Sequence, residues 1–399
     1  MGFVKKIKNY FKKKKQIKVL NTQIIPNFES FNAANKTIVF ISGAMPTHDK
    51  DSGSNRLLEI ILAFKKLNYN CIICVENVFE DDIYVQFYKQ LGVTVYVESL
   101  QFNSYKSFLK SVNSIDYIWY YGPNTLKNYL NKVSKFLPKA KSIFDMVDIH
   151  FLRYKRAIEL NPTRISLKKR FRKYFTIETQ LAKKVDFVIA ISDKEKTFMS
   201  DYLPKNEIIT ISNVHYPKVK QEDIPSFDNR ENLLFIGSAH TPNIDAVHYL
   251  YDEIMPLVWD KLPNVKVQII GSVDKEINTI SNKNIEFLGF VENVEPYFLN
   301  SKLMIAPLRY GAGVKGKVGQ AFEYYLPVVT TSIGAEGMFL ENDINAIIVD
   351  NATDFANKII EVYNQSEIWE KLSKNSELSL YPFSKEKLGS STKATSAKQ

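Results

Sequence analysis

The stretch Ala306-Pro-Leu-Arg-Tyr-Gly-Ala-Gly-Val-Lys-Gly-Lys-Val-Gly-Gln320 combines a strand end, a glycine-rich loop and a helix start, and it marks a candidate site. A strand-like apolar run ends at its first residues, and from Val314 apolar residues recur at the spacing of one helix face. The glycines in between let the backbone approach a ligand closely, and a helix N-terminus favours an anion. Arg309, Lys315 and Lys317 add positive charge. The stretch therefore predicts a diphosphate site; a glycine-rich turn with surface lysines is the plainer interpretation.

On both sides of this stretch, from residue 36 onward, short apolar runs alternate with amphipathic helical patterns. That alternation predicts parallel sheets covered by helices on both faces. Residues 216–230 are polar, contain two prolines and indicate a linker. We therefore predict an α/β chain of two Rossmann-like doubly wound domains that face each other across a cleft. The predicted divisions are an N-terminal arm (1–18), a first domain (19–215), the linker (216–230), a second domain (231–385) and a disordered tail (386–399).

The composition fits such a chain. Of 399 residues, 45% are hydrophobic and 24% are charged, which is typical of a globular protein of two or three domains and excludes a disordered one. No run approaches the ~18 uncharged apolar residues that a membrane span needs. No apolar segment follows the N-terminal lysines as it would in a secretory signal. We therefore expect a cytoplasmic protein.

Two cysteines, Cys71 and Cys74, have a CxxC spacing that is found in metal and redox sites. Their apolar, β-branched neighbours predict a strand, in which positions i and i+3 point to opposite faces. Two such thiols cannot bind one ion, so we expect plain core residues. The five histidines show no metal-ligand spacing either. The sequence therefore predicts no metal site.

The net charge of +10 is concentrated in the N-terminal arm, where residues 1–18 hold eight basic residues and no acid. The rest of the chain has 45 basic residues against 43 acidic ones, a net charge of +2. Apolar and aromatic residues of the arm fall on one helical face, opposite most of its lysines. This pattern favours an anionic membrane surface as partner. A solvated basic tail and a nucleic-acid arm are the alternatives, and the nearly neutral remainder argues against nucleic acid.

Two polar loops of the first domain are predicted to face the cleft, because ligands of such sheets bind beyond the carboxyl ends of the strands. The first follows the first predicted strand, and Ser52 or Ser54 could cap the helix after it. Its residues Asp51, Ser52, Gly53, Ser54 and Arg56 form a candidate acceptor-side loop, in which Arg56 could bind a phosphate or the acceptor.

The second polar loop carries Asp145, Asp148 and His150 at the end of another predicted strand. Carboxylates and an imidazole in this position are candidates for acid–base work or for recognition of sugar hydroxyls. A lone histidine is more often structural, but its place in the cleft favours a functional role for His150, with Asp148 beside it.

Taken in order, these residues resemble the GT-B glycosyltransferases of family 4 and their relatives in bacterial surface-polysaccharide synthesis. The resemblance covers roughly residues 36–385. Its motifs are Asp49-Lys-Asp-Ser-Gly-Ser-Asn-Arg56, Asp145-Met-Val-Asp-Ile-His-Phe-Leu-Arg153, Phe235-Ile-Gly-Ser238, Pro307-Leu-Arg-Tyr-Gly-Ala-Gly-Val-Lys-Gly-Lys317 and Pro327-Val-Val-Thr-Thr-Ser-Ile-Gly-Ala-Glu-Gly337.

The resemblance implies transfer of a sugar from a nucleotide diphosphate donor, without metal or other cofactor, to a glycan or lipid-linked acceptor. The donor would lie mainly on the second domain and the acceptor on the first. His150 would approach the transferred sugar. The implied donor-side residues are Gly237 and Ser238 at the nucleotide, Arg309, Gly313, Lys315 and Lys317 at the diphosphate, Gln320 at the ribose, and Gly334 to Gly337, with Glu336, beside the donor.

Two departures from the family pattern stand out. The family has two glutamates eight residues apart, and their positions here hold Ala312 and Gln320. Gln320 can still bond ribose hydroxyls, whereas Ala312 leaves no carboxylate at the sugar. Glu336 either replaces that carboxylate or caps a helix. The family's C-terminal helix, which crosses back to the first domain, is expected to be shortened or missing.

The sequence thus predicts a glycosyltransferase, of the retaining type usual in family 4, at the inner face of the cell membrane. There it would extend a lipid-linked glycan in surface-polysaccharide synthesis. One alternative is a non-hydrolysing sugar-nucleotide epimerase, which shares the two-domain shape. Another is a degenerate GT-B subunit that only scaffolds a partner transferase, which Ala312 and Gln320 motivate.

Overall fold

The computed structural model describes residues 31–397 except 77, 79, 80, 100, 101, 113, 274–276, 278, 279 and 281. The predicted membrane-binding arm at residues 1–18 lies outside the described residues. Within the described ranges, no helix has both the length and the apolar character needed to cross a bilayer.

The first sheet has seven parallel strands in the order β3-β2-β1-β4-β5-β6-β7. These strands are rich in β-branched and aromatic residues and are buried almost throughout, as expected of a parallel sheet covered on both faces. The strands are Thr37–Ile41 (β1), Asn70–Cys74 (β2), Thr94–Tyr96 (β3), Tyr117–Tyr121 (β4), Lys141–Asp145 (β5), Phe187–Ala190 (β6) and Glu207–Thr210 (β7).

The second sheet has six parallel strands in the order β10-β9-β8-β11-β12-β13. Both sheets thus show the strand order of a doubly wound Rossmann-like fold, which confirms the predicted fold class. The predicted linker, residues 216–230, falls between β7 and β8. The strands are Glu231–Ile236 (β8), Val267–Ile270 (β9), Ile285–Gly289 (β10), Ser301–Ala306 (β11), Val328–Thr330 (β12) and Ile347–Ile348 (β13).

Helices cover both faces of each sheet and connect its strands. The helices around the first sheet are Ser52–Lys66 (α1), Ile83–Gln90 (α2), Tyr105–Ser111 (α3), Pro123–Phe136 (α4), His150–Leu160 (α5), Ile165–Thr176 (α6) and Asp193–Ser200 (α7). Those that follow are Thr241–Tyr249 (α8), Met255–Lys261 (α9), Glu295–Asn300 (α10), Gly316–Glu323 (α11), Ser332–Ala335 (α12), Ala352–Asn364 (α13), Ser366–Lys374 (α14), Ser376–Leu380 (α15) and Lys385–Ala397 (α16).

The two faces of the first sheet form separate apolar cores, because side chains alternate along each strand. Cys74 packs in the core that also contains Phe144, whereas Cys71 packs in the core on the other face, with Trp119. Both thiols are free and buried, and burial raises their pKa, that of Cys71 to about 12. The prediction that they are core residues on opposite faces is confirmed.

The C-terminal segment differs from the predicted disordered tail. Helix α16 packs against α1 of the first domain, so the chain crosses back from the second sheet to the first. Leu388 is buried in the same core as Trp119, Thr392 is buried, and Lys385 pairs with Glu59 at 3.1 Å. The expectations of a disordered tail and of a shortened or missing crossing helix are therefore wrong. Tertiary packing holds the helix despite its weak helix-forming residues.

Candidate active site

The glycine-rich segment at residues 307–315, the lysine loop, lies between β11 and α11 at the carboxyl end of the second sheet. The ammonium of Lys315 folds back onto this loop and donates to the carbonyls of Gly313 at 2.5 Å and Ala312 at 3.3 Å. Burial lowers the pKa of Lys315 to about 8, against the opposing effect of Glu336 and Glu195. Among the described residues the hydrogen-bond partners of this buried ammonium are backbone carbonyls, so it is suited to an anion that reaches the loop.

Lys317, two residues further, donates to the side-chain oxygen of Asn243 at 2.7 Å and lies 4.2 Å from the ring centre of Phe235. Burial lowers its pKa to about 7, and the nearby charge of Lys315 acts in the same direction. A Cβ built on Gly237 would lie 2.8 Å from Phe235 and 3.0 Å from Asn243. Gly237 and Lys317 therefore lie against the same two side chains, and their roles at the nucleotide and at the diphosphate stay predictions.

Ser238 and Gln320 border this group. Ser238 is exposed, and its carbonyl accepts from Asn243 at 3.0 Å. Gln320 lies partly exposed on α11, whereas Ala312 is buried. Among the described residues, Gln320 has no hydrogen-bond partner, so its amide is available to a ligand.

Arg309 departs from the prediction. Its guanidinium makes a bidentate pair with Asp245, at 3.0 and 2.6 Å, and approaches Glu253 at 3.5 Å. The hydrogen bond to Asp245 raises the pKa of Arg309. Asp245 in α8 and Glu253 after it thus pair with the guanidinium that was predicted to bind the diphosphate.

Gly334 and Glu336 lie around α12. Gly334 packs so closely on the side chain of Thr330 that a Cβ would overlap it. Glu336 pairs with Arg156 of the first domain, at 2.6 and 3.0 Å, and with Lys194 at 3.2 Å. Burial opposes ionisation of Glu336, but Arg156 outweighs it and lowers the pKa to about 2. Glu336 therefore holds the two domains together, a role that neither sequence interpretation included.

On the first domain, His150 begins α5 and directs Nδ1 at two carboxylates, Asp148 at 2.8 Å and Glu178 at 3.1 Å. Burial disfavours the charged ring, but these carboxylates outweigh it and raise the pKa of His150 to about 10. An imidazolium at neutral pH cannot act as a general base. Of the roles predicted for His150, its charge favours hydrogen-bond donation to sugar hydroxyls over base catalysis.

Asp148 joins the two halves of the site. Its carboxylate pairs with Arg153 at 2.6 Å, and despite burial Arg153 and His150 hold its pKa well below the usual range. A Cβ built on Gly313 of the lysine loop would lie 2.8 Å from the Cβ of Asp148. Gly313 also has a φ of +73°, which favours glycine on its own account. The predicted sites of the two domains therefore meet at Asp148 and Gly313.

The acceptor-side loop touches the same place. Asp51 caps α1 by accepting from the backbone and the hydroxyl of Ser54, both at 2.7 Å. Ser52 lies directly against Gly316 of the second domain, whose Cβ would lie 2.5 Å from that of Ser52. A Cβ on Gly53 would lie 2.8 Å from the hydroxyl of Tyr121. The loop thus lies against the second domain, and its role on the acceptor side stays a prediction.

Arg56 is the exception in this loop, and its prediction is wrong. Its side chain is fully buried and pairs with Asp145 at 2.7 Å. The rest of its guanidinium donates to the carbonyl of Ile211, at 3.1 and 2.8 Å. Arg56 therefore ties α1 to the strand ends within the first domain and does not reach a ligand.

Two residues that the sequence did not single out connect the domains. Arg156 donates to the carbonyl of Gly311 at 2.7 Å in addition to its pair with Glu336. Glu195 accepts from the backbone of Gly313 at 2.8 Å and from Ile149 at 3.3 Å. Burial and the charge of Asp148 raise the pKa of Glu195 to about 8.

Comparison with known proteins agrees with this architecture. Sucrose-phosphate synthase of Thermosynechococcus elongatus superimposes with a TM-score of 0.68 at 12% identity, over 91% of this chain and 98% of that one. Anabaena HepE, solved with UDP-glucose, gives 0.65 at 14% identity, over 91% and 100%. The pneumococcal O-GlcNAc transferase GtfA, solved with UDP and GlcNAc, gives 0.65 at 12%, over 91% and 98%.

The chain has the GT-B fold of glycosyltransferases. Residues 230–365 of this GT-B chain, about a third of it, match the family described as glycosyl transferases group 1. That match falls on the second sheet and includes the lysine loop. The family match supports a glycosyltransferase, whereas the nucleotide-sugar donor and membership of family 4 stay predictions.

One curated relative matches by sequence. It is described as an uncharacterized 44.6 kDa protein in the cps region of Klebsiella pneumoniae. It is 27% identical over 158 residues, which is 37% of this chain and 41% of the relative. The alignment thus covers about two fifths of the relative's length.

Proposed function

We propose that this chain transfers a sugar from a nucleotide diphosphate donor to a glycan or lipid-linked acceptor. One observation carries the proposal: the lysine loop of the second domain and the His150–Asp148 loop of the first meet across the cleft, where Asp148 lies against Gly313. Two polar loops that converge at the carboxyl ends of two sheets form the place where such folds bind ligands.

The proposed chemistry places positive charge where negative charge develops. As the bond between the sugar and the diphosphate breaks, the leaving phosphate gains charge, and fixed cations and backbone donors stabilise it. Lys315 and Lys317 would supply those cations, and the N-terminus of α11 the backbone donors. The transfer would need neither metal nor other cofactor. Gln320 would bond the ribose, and the imidazolium of His150 would donate to the transferred sugar.

The biological setting is a further part of the proposal. The relative from a cps region supports a role in bacterial surface-polysaccharide synthesis. A lipid-linked acceptor would place the enzyme at the cytoplasmic face of the membrane, held there by residues 1–18. Retention of configuration rests on the resemblance to family 4 alone.

A nucleotide panel tests the donor site. We expect UDP, GDP or dTDP, or one of their sugars, to raise the melting temperature. A ligand at a hundred times its Kd stabilises the folded state by about 2.7 kcal/mol. If no nucleotide sugar binds at millimolar concentration, the donor site is absent. With the binding nucleotide sugar, membrane extract should then accelerate release of the nucleotide diphosphate.

Replacing Lys315 and Lys317 with alanine separates the alternatives. Lost transfer in a folded protein supports the enzyme, whereas unchanged polysaccharide output in cells that carry the variant supports a scaffold subunit. An epimerase would instead convert the nucleotide sugar without any acceptor, which analysis of the sugar product detects.

A further inference from the structure

The helical hairpin formed by α5 and α6, residues 150–176, is strongly basic. It contains nine basic residues and one acidic residue, Glu159, a net charge of +8. The whole chain carries +10, and the N-terminal arm another +8, so all other residues together carry −6. The basic residues of the hairpin are Arg153, Lys155, Arg156, Arg164, Lys168, Lys169, Arg170, Arg172 and Lys173. The nearly neutral average outside the arm therefore conceals a second basic segment.

Most of this charge lies on the solvent side of α6. The other side of the helix buries aromatic rings in the core of the first domain, among them Phe171 and Tyr174. The exposed side carries Arg164, Lys168, Lys169 and Arg172. Among the described residues, none of these four has a carboxylate partner. Their mutual repulsion is unrelieved within the described part of the chain, which favours an anionic partner.

Two aliphatic side chains are exposed at the tip of the hairpin. Leu160 ends α5 and is 43% exposed, and Ile165 begins α6 and is 67% exposed. They flank the turn at residues 161–164, next to Arg164. Exposed aliphatic residues with lysines and arginines around them match a lipid surface, where the aliphatic groups enter the headgroup layer and the cations meet phosphate. A soluble polyanion would bind the cations but would give Ile165 no apolar partner.

The hairpin also begins at the candidate active site. His150 is its first residue, and the ring of Tyr174, near its end, lies 4.8 Å from the ring of His150. Lys173 reaches back to Asn124 at the carboxyl end of the first sheet. A surface that contacts α6 is therefore coupled through one packed hairpin to the acceptor side of the cleft.

We propose that the α5–α6 hairpin docks on an anionic membrane surface, with Ile165 and Leu160 inserted and the cations of α6 at the lipid phosphates. This docking surface lies on the folded first domain and is distinct from the arm at residues 1–18. It goes beyond the proposed transfer reaction, because the binding needs no nucleotide and no acceptor.

The test uses the full chain and vesicle flotation. The vesicles contain phosphatidylglycerol and phosphatidylcholine in equal amounts, or phosphatidylcholine alone. One variant combines Lys168→Glu, Lys169→Glu and Arg172→Glu, and a second is Ile165→Ser. The matched control combines Lys205→Glu, Lys371→Glu and Lys374→Glu, which change the same charge at exposed positions elsewhere.

We expect the wild-type chain to bind the anionic vesicles and not the neutral ones. The α6 triple variant should bind more than about tenfold more weakly, Ile165→Ser should bind severalfold more weakly, and the control should bind like the wild type. Binding that survives in the α6 variant would assign docking to the arm alone and overturn the proposal. Equal weakening in the control would show unspecific charge attraction and would also overturn it.

A parallel measurement with heparin detects a soluble acidic glycan as the partner. Binding to heparin through α6 without binding to vesicles would overturn the membrane proposal. The melting-temperature shift with nucleotides is recorded for every variant. If nucleotides do not raise the melting temperature of the wild type, the transferase proposal is contradicted. If the wild type does not float with anionic vesicles, only the hairpin proposal is contradicted.

Discussion

The carboxylate of Glu195 accepts the backbone N–H of Gly313 at 2.8 Å, and so ties α7 of the first domain to the lysine loop of the second. The same oxygen accepts from Ile149 at 3.3 Å, next to His150. One buried carboxyl thus fixes the position of both halves of the candidate site. Because its pKa is raised to about 8, this link holds a proton at neutral pH.

Replacing Glu195 with glutamine should change the pH dependence of stability and little else. The carboxyl has an unfolded pKa of about 4.3, so the folded state binds the proton more tightly. The protonated carboxyl therefore stabilises the folded state fully below the unfolded pKa, and this contribution is lost as the pH rises through the folded pKa of about 8. Urea unfolding across this range should show the decline in the wild type and not in Glu195→Gln. Identical slopes in the two proteins would contradict the buried, protonated state.

Glu195→Ala is the companion variant, because it leaves two backbone N–H groups without an acceptor. Unsatisfied buried donors cost about 1–3 kcal/mol each, so this variant should lose more stability than Glu195→Gln at every pH.

The ion pair between Arg156 and Glu336 should hold the domains closed. Both side chains are largely buried and the pair is bidentate. A double-mutant cycle of Arg156→Ala and Glu336→Ala should give a coupling energy of about 1–3 kcal/mol. Small-angle scattering of either single variant should show a larger radius of gyration. Lys194→Ala is the control, because Lys194 is 68% exposed and its pair with Glu336 is worth little. If the stability losses of the two single variants simply add up in the double variant, the pair does not join the domains.

The sheets and the lysine loop were predictable because their signals are local. Apolar periodicity marks each strand and helix, and the glycines and lysines of residues 311–317 lie in one short stretch. Pairings between distant residues left no such signal. Arg56 meets Asp145, 89 residues away, and nothing near Arg56 in the sequence distinguishes this partner from a phosphate.

Other features were hidden by patterns with plainer interpretations. Glu195 is the fourth residue of Ser192-Asp-Lys-Glu195, the spacing of a capping box, and Ser192 does cap α7. The net charge of +2 beyond the arm gives no sign of the basic hairpin, because the −6 of the other residues offsets its +8. Helix α16 is rich in small and polar residues, so its own residue pattern gives no sign of the contact with the first domain that stabilises it.

Arg56→Met should destabilise the fold and leave ligand binding intact. Removing Arg56 leaves the buried carboxylate of Asp145 without its cation, which should lower the free energy of unfolding by about 3–5 kcal/mol. Chemical denaturation measures the loss, and nucleotide affinity at a temperature well below unfolding should stay that of the wild type. Asp51→Ala is the control for stability alone; it removes a helix cap and should cost about 1 kcal/mol. If Arg56→Met is stable and binds phosphate or acceptor more weakly, Arg56 contacts the ligand and the buried role is wrong.

Nucleotide binding should take up protons, because Lys317 and Lys315 have pKa values lowered to about 7 and about 8. A diphosphate favours the charged form of each amine, so affinity should be highest below pH 7 and should fall as both amines lose their protons. Titration calorimetry in buffers of different ionisation enthalpy measures the uptake. Lys317→Met should weaken binding by roughly ten- to a hundredfold and remove the step near pH 7, since a charge-assisted bond is worth about 1.5–3 kcal/mol. Proton uptake that persists unchanged in Lys317→Met would place the diphosphate elsewhere.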